Sequence, residues 1–437
     1  MAQETRRLVL CFDGTWNTDR SNTNVTRLYR KIADNQSGCG EQCRFYDEGV
    51  GTQWGERFRG GVLGMGLDRN IRDGYAWLAT QFPSKDNPSL DAQKFVEGPL
   101  LYLLGFSRGA FTARSLGGLI NYVGIPRLDK MPAPKADTPL RDHPAIQRAW
   151  DLYAKRPSPE ERKQVEDNKA DAALRKRIND YDAQIDKFRK ENATYPVRIH
   201  FLGVWDTVGA LGIPRILDYS WIPRPSNQFQ FHDTGLCGNV RFAYHAVAID
   251  EQRAPYCVTL WTRRQETNED VEQRWFPGAH ADVGGGYEDD LLPDPPLAWI
   301  AAKAAERGLH FVNDRQETDE TGKVPASVPR SPAAFELDGT EYLSPVHDSY
   351  AEFAGGAYRV LRSLPGAGGR VYRRMLVDAD GINQTLDSTA LKKLDADPGY
   401  RPPNLAQAGR VDVSFTRAQL EAQTERRPLA AQPFTLA

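Results

Sequence analysis

The run Leu100-Leu101-Tyr102-Leu103-Leu104-Gly105-Phe106-Ser107-Arg108-Gly109-Ala110 decides how the whole chain is read. An apolar stretch leads into Gly-x-Ser-x-Gly, and a small-residue helical pattern continues from Ser107 to Val123. Strand, sharp turn and helix in that order describe a nucleophile elbow, in which only small flanking residues let strand and helix approach so closely. The Ser107 hydroxyl is then expected above a sheet at a helix N-terminus, where the macrodipole favours developing negative charge. The plainer reading of the same residues is a glycine-rich helix start with Ser107 as its cap.

The chain on either side repeats that alternation. Arg7 to Phe12 is a short apolar run ended by Asp13-Gly14-Thr15-Trp16-Asn17, a buried strand followed by a turn. Residues 22–33 carry apolar positions at helical spacing, Gln42 to Asp47 reads as a second strand, and Ile71 to Leu78 is helical again. Further strands are expected at Val197 to Trp205 and near Val271 to Phe276. The fold predicted is α/β and hydrolase-like, a mostly parallel central sheet flanked by helices. Its catalytic domain is expected over 1–350, interrupted by a charged helical insertion at 127–195. From Asp151 to Glu191 there are 11 Lys/Arg and 10 Asp/Glu. Leu174, Ile178, Tyr181, Ile185 and Phe188 fall there on one helical face. That helix either packs on the main body or serves as a lid or docking arm. Residues 351–437 read as a polar C-terminal extension with a helical piece around 386–395 and a poorly ordered tail at 423–437.

A serine nucleophile needs a base and an orienting acid, and in α/β-hydrolases the chain order is serine, acid, histidine. Asp206 fits the acid, because it ends the run Gly203-Val204-Trp205 and precedes a turn-like Thr207-Val208-Gly209. His280 fits the base: it follows a strand and stands among small residues in Gly278-Ala279-His280-Ala281-Asp282-Val283-Gly284-Gly285-Gly286. His347, in Val346-His347-Asp348-Ser349-Tyr350, is the rival base, while His245 in an apolar run and His310 are read as structural. The amide of Arg108 is the first expected oxyanion donor, and the Gly14 turn is the second. Asp13 reads as a turn former, with a catalytic role as the alternative. Gly64-Met65-Gly66 fails as a phosphate loop because Arg69 stands where glycine is required, and His280-x-Asp282 lacks the partners of a metal site. Asp13, Asp282 and His347 are thus the candidates beside Ser107, Asp206 and His280.

Composition narrows the function classes. Among 437 residues, 56 Lys/Arg face 58 Asp/Glu, a formal net charge of −2. That balance argues against a nucleic-acid binder and against attachment to an anionic membrane by charge alone. No apolar run approaches the ~20 residues that span a bilayer. Leu8 to Phe12 is too short for a signal-peptide core, so synthesis as a cytoplasmic globule is expected. The five cysteines (11, 39, 43, 237, 257) suit a reducing compartment, and Cys39-x3-Cys43 has no second pair to complete a zinc site. Ester cleavage by a serine requires no metal or organic cofactor.

Five stretches carry a resemblance. Leu10 to Asn17, Tyr46-Asp47-Glu48-Gly49-Val50-Gly51-Thr52, Gly105 to Ala110, Gly203 to Ala210 and Gly278 to Tyr287 occur in that order. Together they resemble the α/β-hydrolase domain of the first family of type VI secretion lipase effectors and its uncharacterised bacterial and fungal relatives. His245 to Glu251 and His347 to Tyr350 are similar to stretches of that family as well. The resemblance implies a Ser107–His280–Asp206 triad and phospholipase A-type cleavage of glycerophospholipid esters. It also implies delivery into rival cells through a secretion-machinery component, and a cognate immunity protein as partner. Family members often carry a histidine before a serine in the C-terminal third, where this chain has Asp387-Ser388. The apolar segment Leu211 to Pro223 is read either as a lid touching the bilayer surface or as an ordinary packed loop. A soluble carboxylesterase or thioesterase, and a non-catalytic interaction protein on a hydrolase fold, are the alternatives to a phospholipase.

Overall fold

Strand residues that are apolar at every position must be covered on both faces, and here they are. The computed structural model describes residues 6–14, 21–33, 41–49, 62–82, 98–127, 138–192, 194–209, 234–287, 291–312, 335–352, 356–363, 369–377, 380–405 and 417–425. Within them, β1 (Arg7–Phe12), β2 (Gln42–Asp47), β3 (Leu100–Phe106), β4 (Ile199–Trp205), β5 (Val240–Ala248), β6 (Asp270–Phe276) and β7 (Gln384–Leu386) form one sheet. Every neighbouring pair is parallel, in the order β2-β1-β3-β4-β5-β6-β7. The chain moves outward from β1 to β2, then crosses back to place β3 on the other side of β1. Loops leaving β1 and β3 therefore diverge, opening the crevice in which open α/β sheets bind their ligands.

Side chains alternate across each strand and build two separate cores. Leu8, Leu10, Phe12, Leu101 and Leu103 pack on one face beneath α2 (Val62–Gln81) and α3 (Arg108–Val123). Val9, Cys11, Tyr102, Leu104 and Phe106 pack on the other, with α1 (Asn24–Lys31) among their cover.

The charged insertion folds as α4 (Pro144–Ala154), α5 (Pro159–Glu166) and α6 (Ala172–Glu191). Asp171 caps α6 by accepting the Leu174 N–H at 2.7 Å, and Ser158 and Glu161 form a capping box on α5. Ile178, Tyr181, Ile185 and Phe188 are buried, while Leu174 at the start of the same face is half-buried. Tyr181, Ile185 and Phe188 join the core that holds Leu101 and Leu103, so this apolar face packs on the main body. Residues 211–223, read as a lid or loop, lie outside the described residues, as do Cys39 and the tail from 426 onward.

The region after 350, read from sequence as an extension, is built into the sheet. Gln384–Leu386 pairs with β6, and Met375, Leu386, Leu391 and Leu405 pack against Val247 and Trp275. Three residues with no apolar run carry no strand signature of their own; β7 exists because β6 offers an unpaired edge. Asp387 accepts the Thr389 N–H at 2.9 Å and so caps the helix Ser388–Ala396. Among the described residues, no helix is long and apolar enough to cross a membrane.

Burying four aliphatic side chains contributes roughly 6–12 kcal/mol, comparable to the whole net stability of a domain, about 5–15 kcal/mol. A chain ended at Tyr350 is therefore expected to lose its cooperative thermal transition by circular dichroism. A sharp transition near that of the full chain would contradict this packing.

Candidate active site

At the end of β3 the backbone enters a conformation that costs energy. Ser107 has φ 58° and ψ −119°, between β3 and α3. Two glycines make this possible: a Cβ on Gly105 would collide with the Gly109 carbonyl, and one on Gly109 with the carbonyl of Phe12 at the end of β1. The Ser107 N–H is donated to the Trp205 carbonyl at 3.0 Å, tying the elbow to β4. Its hydroxyl makes no capping bond to α3, so the simple helix-cap reading does not describe it.

The hydroxyl instead meets His280. Beyond β6 the chain turns through Gly278, at φ 114°, into the short helix His280–Gly284. The face of the His280 ring lies against Phe106, with centroids 4.6 Å apart, and Tyr256 approaches edge-on at 4.9 Å. A Cβ on Gly284 would run into the Phe106 ring. Nε2 of His280 lies 2.7 Å from Ser107 Oγ, and Nδ1 lies 2.6 Å from Asp206 Oδ2. An ionised carboxylate only accepts, so Nδ1 carries the proton and Nε2 accepts from the serine hydroxyl.

Asp206 is wholly buried and sits at φ 38° immediately after β4, the middle strand. Its Oδ1 accepts the Ala248 N–H at 3.0 Å. Burial alone would raise its pKa, but the Arg373 charge and the hydrogen bond from His280 outweigh burial and hold it well below the usual carboxylate range. His280 moves the other way from what its acid partner favours: burial dominates and lowers its pKa, leaving the ring neutral at pH 7.

With this geometry in view, residues 6–303 match the family described as "T6SS, Phospholipase effector Tle1-like, catalytic domain". The chain belongs to this family. It is also similar to the uncharacterized protein YEL023C of Saccharomyces cerevisiae, 24% identical over 383 residues, covering 79% of this chain and 46% of that protein. Among solved structures it is similar to an uncharacterized protein from Pseudomonas aeruginosa, with a TM-score of 0.37 and 19% identity over 77% of this chain and 50% of that one. A Tle1 effector bound to the VgrG spike of the type VI secretion system gives a TM-score of 0.34 and 17% identity, over 65% and 51%. The chain thus spans about half the length of each of these proteins.

The other candidates in this Tle1-like domain hold the scaffold around the three central residues. Asp13 accepts from the hydroxyls of Thr23 at 2.6 Å, Thr26 at 2.8 Å and Tyr46 at 2.8 Å. It also accepts the Gly14 N–H at 2.7 Å, so that amide faces Asp13 in this structure. These four bonds make Asp13 the organiser of the turn after β1. His347 donates from Nδ1 to Asp282 Oδ1 at 2.6 Å and stacks on Tyr287 with centroids 3.7 Å apart. His245 accepts the Thr207 N–H at 3.1 Å, and burial pulls its pKa down to about 3. It is a neutral core residue that holds the turn following Asp206. Among the described residues no group of three or more His, Cys, Asp or Glu is placed to hold a metal ion.

Sequence reasoning missed three residues. Asp250 accepts the Gly278 N–H at 2.7 Å, and Glu251 accepts the His280 N–H at 3.2 Å, so two acids at the end of β5 grip the histidine loop. Both lie inside the stretch His245 to Glu251 that carries the family resemblance, which was the available signal. Arg373 binds both oxygens of Asp206, at 2.5 and 3.0 Å. Val371-Tyr372-Arg373-Arg374 has no pattern that marks it.

The close approach at Gly109 is open to a direct test. Gly109→Ala is expected to cost about 1–3 kcal/mol through overpacking, read as a lowered melting temperature. An unchanged melting temperature would contradict the contact with Phe12.

Proposed function

We propose that the chain is a serine hydrolase that cleaves the acyl esters of glycerophospholipids, an activity of phospholipase A type. The observation that carries this reading is the unbroken hydrogen-bonded line from Ser107 through His280 to buried Asp206, set at a strained elbow in a domain of a phospholipase effector family. As Ser107 Oγ attacks the ester carbonyl carbon, its proton passes to His280 Nε2, and Asp206 stabilises the imidazolium. The tetrahedral oxyanion is bound by the Arg108 amide at the start of α3 and by Gly14 once its N–H turns from Asp13 towards substrate. One such donor is worth about 3 kcal/mol. Collapse breaks the bond to the leaving alcohol, which takes the proton from His280 and departs as a lysophospholipid. Water then gives its proton to His280 and attacks the acyl-enzyme, and the proton returns to Ser107 as the fatty acid leaves. No cofactor enters these steps. In keeping with the family, the partners we propose are a phospholipid surface, a secretion-machinery component for delivery into a target cell, and an immunity protein.

The test is fatty-acid release from mixed phospholipid vesicles by wild type and Ser107→Ala, with products identified by mass spectrometry and the rate followed across pH. Serine-dependent release of fatty acid and lysophospholipid is expected. Because His280 must be neutral and burial lowers its pKa, the rate should fall only below the ~6.5 of an unperturbed imidazole. Turnover of a soluble short-chain ester without vesicle cleavage would replace the lipid substrate with a soluble ester or thioester. Silence on both would favour a non-catalytic binding protein.

A further inference from the structure

Asp206 is gripped by a side chain that lies 167 residues further along the sequence and outside the segment 6–303 that matches the family. We propose that Arg373 is a positioning residue for the catalytic acid: its guanidinium fixes the rotation of the Asp206 carboxylate and offsets its charge. The proposal rests on the reading of Ser107, His280 and Asp206 as a triad.

The geometry is that of a fork closed on a carboxylate. One terminal nitrogen of Arg373 donates to Oδ1 at 2.5 Å and the other to Oδ2 at 3.0 Å, the two-point pairing that a planar guanidinium suits. The same nitrogens donate to the carbonyls of Ala248 at 2.8 Å and Tyr256 at 2.6 Å. The fork is thereby held from two sides before it meets the acid. Neighbouring backbone adds a third anchor, the Val371 N–H to the Gln252 carbonyl at 3.0 Å. Oδ1 is then satisfied by Ala248 and Arg373, which leaves Oδ2 facing His280 Nδ1. A carboxylate freed to rotate would pull the imidazole off the serine.

The second effect is electrostatic. Charged and titratable groups reach His280 from every side: Asp206 after β4, Glu251 and Arg253 after β5, Arg373 from the C-terminal segment and Asp282 on its own turn. Tyr256 packs against the ring edge-on. Arg253 is committed to Glu251, bonding it at 2.8 and 2.7 Å, so Arg373 is the cation that offsets Asp206. Removing it leaves a full negative charge beside the imidazole, which favours the protonated ring and shuts the base off at higher pH.

The experiment compares wild type, Ser107→Ala, Arg373→Lys and Arg373→Met on a soluble p-nitrophenyl ester across pH, with a thermal melt of each. Arg373→Met is expected to lose about 100-fold in kcat/KM, the scale of a small misplacement in the site, with KM little changed. Its acid limb should move up by about one pH unit. Arg373→Lys keeps the charge but not the fork, so its acid limb should stay in place while its kcat falls between those of wild type and Arg373→Met. A folded Arg373→Met with the wild-type rate and pH profile would overturn the proposal. Should Arg373→Met fail to fold, Arg373→Lys decides: an unchanged kcat overturns the role, and a reduced kcat at an unmoved acid limb supports it. Wild-type turnover that survives Ser107→Ala would instead bring down the triad reading.

Discussion

A carboxylate sealed from water at the end of the middle strand is the constraint around which the site is organised. Leaving such a charge unpaired costs several kcal/mol, so each of its lone pairs must find a donor. Asp206 takes them from three separate parts of the chain: the Ala248 amide at the end of β5, the His280 ring after β6, and Arg373 from the C-terminal segment. Meeting the needs of this one group therefore draws the loops after β4 and β6, the end of β5 and the C-terminal segment onto a common point. The left-handed backbone at Asp206 is a strain held by the same contacts.

Ser107 is placed by a different kind of constraint, the absence of side chains. Gly105 and Gly109 let α3 descend onto the ends of β3 and β1, and that descent lifts Ser107 towards His280. Ser107 and Asp206 are joined through the backbone as well, since the Ser107 N–H bonds the carbonyl of the residue before Asp206. The turns that carry Ser107 and Asp206 are therefore tied together through the backbone.

What the sequence revealed, and what it hid, follows from how local each signal is. The parallel sheet was legible because strands buried on both faces read as unbroken apolar runs, as in Leu8 to Phe12 and Leu101 to Leu104. Ser107 and Asp206 stood out as candidates because each directly follows a strand, and His280 because it lies just past one, all three flanked by small or turn-forming residues. Arg373 and β7 carry no such mark. An arginine among polar neighbours looks like a solvated one until the carboxylate it meets has been folded into place. Gln384-Thr385-Leu386 becomes a strand only against the edge of β6. Nothing in the composition after 350 marks that strand, since composition sees polarity and not the partner that polarity answers.

The central claim is that Ser107 is a nucleophile activated by His280. Labelling the folded chain with a fluorophosphonate and locating the adduct by peptide mass spectrometry tests this most directly, because only an activated serine reacts rapidly. The account predicts one adduct, on Ser107, that is lost in His280→Ala and retained in His347→Ala. No adduct, or an adduct on Ser107 that persists in His280→Ala, would contradict it.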